Sequence, residues 1–132
     1  MSIASTLRKV QNLPMGEMES FAQTLLHSAT CAHIQHWQTT SYAEHKALQK
    51  YYESMPDLVD DLVETYMGRN GLVGEFEPEF YIEKNPLKYM KAMRDYVDDT
   101  RKDLPKDSEI QNLVDGITDL INSTIYKLEN LK

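Results

Sequence analysis

Cysteine occurs once in this chain of 132 residues, at Cys31. One thiol excludes an internal disulfide and any multi-cysteine zinc site, and it fits a reducing cytoplasm. The five glycines and five prolines fall at the boundaries of periodic segments, which suits an all-helical domain. No stretch approaches the roughly 20 apolar residues of a membrane span. The opening MSIASTLRKVQNLPMG has no apolar h-region, so it does not read as a secretory signal. Positive charge is also scarce, and the net charge of −7 argues against non-specific nucleic-acid binding, which needs Lys and Arg on phosphates. Only Arg8 and Lys9 stand in the first sixteen residues, too few for a basic tether. No nucleotide loop, nucleophile–base pair or zinc finger is present.

What is present is amphipathic helix in four lengths. The chain is sized for one domain, residues 1–132, with a core of its own. After an N-terminal segment (1–14), a first helix is expected from Met15 to Gln38, burying Met18, Phe21, Leu25, Ala29, Ala32 and His36. Thr39 to Tyr42 breaks it, and Ser41 with Glu44 fits a capping box for the next helix. That second helix is expected from Tyr42 to Met67, ending at Gly68. Its stripe is His45, Leu48, Tyr52, Met55, Val59, Leu62 or Val63, and Tyr66. Pro56 should kink it, with a restart capped by Ser54 as the alternative. Residues 69–84 lack helical periodicity and read as a long crossover docking Phe76, Phe80, Tyr81 and Ile82. Asn85-Pro86 starts a third helix, carrying Leu87, Met90, Met93, Val97 and Thr100 inward and stopping near Leu104-Pro105. Asp107 is placed to cap a fourth, with Ile110, Leu113, Val114, Ile117, Leu120, Ile121, Thr124, Ile125 and Leu128 buried. Helix, short turn, helix, long crossover, helix, short turn, helix predicts an all-α, ferritin-like four-helix bundle.

Chemistry concentrates between His33 and Gly68. His36 and His45 face each other across the short turn, while Asp60 and Glu64 share one helical face four residues apart. Two imidazoles and two carboxylates suit iron, manganese or zinc. The same residues also suit a plain hairpin seam, with the histidines bonded to each other, to Tyr42 or to turn backbone. Fifteen residues separate His45 from Asp60, roughly 22 Å of helix at 1.5 Å per residue. One ion therefore cannot reach both within one chain, so a metal site needs Asp60 and Glu64 from a second copy.

The run His36-Trp37, His45, Asp60, Glu64 and Gly68 resembles the Dps mini-ferritins, which oxidise iron at a site shared between two subunits. That resemblance implies His36 and His45 as metal ligands from one subunit and Asp60 and Glu64 from its mate. The chain departs from the Dps pattern in a shorter gap between His36 and His45, in Gln49 where an acid is expected, and in Thr65 after Glu64. These departures imply a weaker site than a true ferroxidase centre. The wording QTTSYAEHKAL (Gln38 to Leu48), followed by PDLVD (Pro56 to Asp60), is similar to a family of small, uncharacterised, ferritin-like proteins carried largely by tailed bacteriophages.

Two functions are therefore expected from different classes. One is a divergent mini-ferritin-like phage protein binding iron or another transition metal at a dimer-shared site. The other is a non-enzymatic interaction protein that keeps the bundle and binds a host or virion protein. Both imply a homodimer or larger homo-oligomer through the first and second helices, with no membrane and no nucleic acid. Both place the protein in the host cytoplasm.

Overall fold

A computed structural model describes residues 16–77 and 83–132. Those residues form four α-helices: α1 (Glu17–Gln38), α2 (Tyr42–Asn70), α3 (Pro86–Thr100) and α4 (Ser108–Asn130), with a 3-10 turn at Arg101–Asp103. No strand occurs among the described residues. The N-terminal segment 1–14 and the expected docking of Phe80, Tyr81 and Ile82 lie outside them.

Each helix packs on two others, in the order α1, α2, α4, α3 and back to α1. Cross-links fix the directions. His36 meets His45 across the α1–α2 turn, Arg69 near the end of α2 pairs with Asp107 before α4, and Lys91 early in α3 pairs with Glu129 late in α4. Neighbours in this ring are thus antiparallel, and α2 and α3 run the same way on a diagonal. That is why the chain between them must travel the full length of the bundle.

The core is what the periodicity predicts on α1, where Met18, Phe21, Leu25, Ala29, Ala32 and His36 are all buried. On α2 the buried line is Ala47, Leu48, Tyr51, Met55, Val59 and Leu62. Tyr51, not Tyr52, points inward; His45, Tyr52 and Tyr66 sit at its edge, half-buried. Phase decides this, since adjacent residues are about 100° apart and Tyr51 lies nearer than Tyr52 to the centre of the whole line, which Ala47 and Leu62 draw to its side. On α4 the expected stripe is buried except Leu113, which packs against the core from its margin.

Helix ends show where local chemistry was misread. Pro56 lies inside one helix, as expected, but α2 also continues past Gly68 and ends at Gly71. Gly71 has φ 90° and ψ 177°, a region essentially closed to side-chain-bearing residues, whereas Gly68 is ordinary helix. The crossover is therefore residues 71–85 rather than 69–84. The capping box is half formed: Ser41 Oγ accepts from the Glu44 amide, but the Ser41 amide donates to Thr39 Oγ1. Asn85 caps α3 as expected, accepting from the Lys88 amide at 3.0 Å. Asp107 makes no side-chain cap, because its carboxylate is taken by Arg69.

The described crossover residues lie along α1, fastened mostly by polar side chains that reach their backbone, with Val73 packed against the core. Glu19 accepts from the Gly74 amide. The Gln23 amide group bonds both the N–H and the C=O of Glu77, serving as a peptide mimic. Cys31 and Gln35 hold the backbone of Glu83. Phe76 is 39% exposed, so the expected aromatic anchoring fails at that residue.

Candidate metal centre

The hairpin geometry brings His36 and His45 into a reciprocal arrangement. His36 Nδ1 lies 2.8 Å from the carbonyl oxygen of His45, and His45 Nδ1 lies 2.9 Å from the carbonyl oxygen of His36. A carbonyl only accepts, so each Nδ1 must carry the hydrogen. In the neutral ring that leaves the lone pair on Nε2. Carbonyl-held Nδ1–H is how metal-binding histidines are commonly oriented, with Nε2 as the donor atom. His36 is buried and His45 half-buried.

The two rings stack, with centroids 3.6 Å apart and planes 22° apart. A ligated metal lies in the plane of its imidazole, about 2.0–2.1 Å from nitrogen. Planes so nearly parallel converge several ångströms beyond that reach, so as they stand the two rings do not chelate one ion. Each offers its own lone pair.

Around the pair the aromatic packing continues. His33 stacks on Tyr52 at 3.8 Å and lies 4.8 Å from the Trp37 ring, while Tyr52 meets His36 edge-on at 5.2 Å. Trp37 is 69% exposed and Tyr42 75% exposed, both at the end of the bundle that carries the histidines.

Asp60 and Glu64 are exposed on α2, far along the helix from His45. No three His, Cys, Asp or Glu side chains among the described residues are grouped to hold a metal ion. One chain therefore brings together the two histidines and leaves the two carboxylates apart. Gln49, one turn after His45, donates to Glu53 Oε1 at 2.9 Å.

The bundle interior carries a different polar feature that the sequence analysis missed. Tyr51 and Ser28 are fully buried, with their hydroxyl oxygens 2.7 Å apart. Ser28 Oγ donates to the Leu25 carbonyl at 2.6 Å, so the Tyr51 hydroxyl donates to Ser28. Burial drives the Tyr51 phenol far above its usual range, and the Ser28 bond only partly opposes this. Burial likewise raises the Cys31 thiol, against the lowering effect of its bond to the Glu83 backbone. The buried polar and charged residues described are Ser28, Gln35, His36 and Thr124. No buried carboxylate stands among them, so the described interior holds no ligand set of its own.

A sequence signal existed for the crossover fastening. Glu19, Gln23, His27, Cys31 and Gln35 recur every four residues, a polar line along a helix otherwise read for its apolar face. For Tyr51 the signal was weaker, since Tyr51 and Tyr52 stand side by side and only phase separates them.

The family of unknown function DUF5856 matches residues 36–128, a span that opens on His36 and includes His45, Asp60 and Glu64. The chain is also 30% identical over 111 residues to an uncharacterized 14.6 kDa protein of the mobD–ri intergenic region of Enterobacteria phage T4, covering 81% of this chain and 79% of that protein. No solved structure matches the chain.

Proposed function

The chain belongs to the family of unknown function DUF5856, and from its paired histidines we propose that it is a divergent mini-ferritin-like phage protein binding a transition metal at a site shared by two copies. The observation that carries this reading is the double Nδ1–H···O=C bonding of His36 and His45. It fixes both rings and leaves both Nε2 atoms as donors. Asp60 and Glu64 of a second copy supply the carboxylates. Two imidazoles and two carboxylates fit iron, manganese or zinc, with each imidazole on its own ion because of the stacking. Iron bound there would supply one-electron redox chemistry, while the residues supply neutral nitrogen donors in a fixed orientation. One long crossover between two parallel diagonal helices supports the ferritin-like topology. No helix among the described residues is long and apolar enough to cross a membrane.

Metal uptake by the purified full chain tests the proposal, by calorimetry with ferrous iron under anaerobic conditions and with zinc. His36→Ala, His45→Ala and the double variant Asp60→Ala/Glu64→Ala are each expected to lower uptake at least tenfold while circular dichroism stays helical. Unchanged uptake in His45→Ala would sink the proposal.

A second reading is favoured by one observation. The reciprocal bonds and stacking already satisfy the histidines as a clasp for the hairpin, and Gln49 is committed to Glu53. In that case the bundle serves host or virion protein binding without metal chemistry. A chain that self-associates but takes up no metal would favour this second reading.

A further inference from the structure

On α2, Glu44 and Glu53 aside, cations and anions are sorted along the helix in a way that no ion pair among the described residues uses. Lys46 and Lys50 precede Pro56, while Asp57, Asp60, Asp61 and Glu64 follow it. The ion pairs among the described residues engage Arg69, Lys91, Arg94, Arg101 and Lys102 with their acids. None engages these six α2 residues. At about 100° per residue, Lys46, Asp57, Lys50 and Asp61 fall within about 60° of one another, on a single flank of the helix.

Such a flank suits a second copy of the same helix laid antiparallel. In a two-fold pair, residues on one flank meet residues on the same flank of the mate. Lys46 opposite Asp61 and Lys50 opposite Asp57 are one and the same register, since each pair straddles a midpoint between Glu53 and Ser54. The two-fold generates each contact twice. A parallel arrangement would instead set Lys against Lys and Asp against Asp.

The charge register matches the histidines in level along the helix, while His45 itself stands on the side toward α1, about 100° or more round from the charged flank. Reflected through the same midpoint, His45 falls opposite Leu62, midway between Asp60 and Glu64. Trp37, level with the start of α2 because His36 bonds His45, comes level with the half-buried Val63 of the mate. Glu53 comes close to its own copy at the axis, an unfavourable meeting tempered by the Gln49 amide that each one accepts from.

We propose that α2 carries a self-recognition code, in which Lys46 and Lys50 of one copy pair with Asp61 and Asp57 of another and so set an antiparallel dimer in register. This deepens the shared-site reading by naming the surface that assembles it, and it rests on that reading only for its metal.

Sedimentation in the presence of a chelator separates the two. The wild-type chain is expected to pair without metal. Lys46→Asp/Lys50→Asp and Asp57→Lys/Asp61→Lys should each weaken pairing by on the order of a hundredfold, since attraction becomes repulsion at four contacts. An equimolar mixture of these two variants should pair again, because every contact between them is then complementary. Since the four side chains are exposed and have no ion-pair partner among the described residues, both variants should fold as wild type by circular dichroism; Lys50→Asp and Asp57→Lys serve as milder forms. A monomeric wild-type chain, variants that pair unaltered, or a mixture that stays monomeric would each overturn the code. A wild-type chain that pairs under chelator but takes up no metal once the chelator is removed would overturn the metal reading alone.

Discussion

A carbonyl oxygen beside Nδ1 leaves an imidazole one neutral tautomer, and α1 and α2 impose that twice across a single turn. Removing either ring strands the other histidine's carbonyl, so His45→Ala should destabilise the fold by about 1–3 kcal/mol in urea titration, with or without metal. Tyr51→Phe should cost about 1–2 kcal/mol, because Ser28 Oγ loses its donor in a site closed to water. The phenol also makes stability depend on pH. Folded Tyr51 resists ionisation, so its contribution is fully present below the ordinary tyrosine pKa of about 10 and is lost as pH rises beyond it, where the unfolded chain ionises. Thermal melts from pH 9 to 11 should therefore fall more steeply in wild type than in Tyr51→Phe. His36 was legible as a buried residue because it keeps step with Ala29 and Ala32. Its exchange of bonds with His45 was legible only as one of several options, since ring orientation depends on the turn backbone rather than on spacing.

Among the elements, the α1–α2 hairpin and the crossover divide the labour. The hairpin is closed by aromatic and imidazole packing, the crossover by polar side chains reaching its backbone. Gln23→Leu should release the Glu77 amide, seen as faster hydrogen exchange at residues 74–77 with little change in α4. Gly71→Ala should destabilise by about 1–3 kcal/mol, because alanine rarely adopts its backbone angles; Gly68→Ala should be neutral or stabilising, since it is mid-helix with open space beside it. Helix number and order were readable from apolar periodicity, which reports burial directly. The end of α2 was not, because two glycines three residues apart offer the same signal and tertiary pairing of Arg69 with Asp107 and Glu109 favours the longer helix. Asp107 shows the same competition from the other side. Its spacing says cap, but the guanidinium across the bundle end takes the carboxylate.

For the whole molecule, one chain brings together only half of the proposed ligand set. His45 sits at the start of α2 with His36 of α1 against it, and Asp60 and Glu64 lie more than a dozen residues along α2. Helical rise alone made that separation readable from sequence, whereas the stacking of the rings and the unpaired charges of α2 required coordinates. In the proposed assembly two copies complete a transition-metal site. Anomalous diffraction at the metal edge, from crystals grown with zinc or anaerobically with ferrous iron, tests it most directly. That assembly predicts anomalous density beside Nε2 of His36 or His45 and within bonding distance of Asp60 or Glu64 from a second copy. Copies packed with these residues together and no anomalous density between them, or density confined to other surface carboxylates, would contradict it.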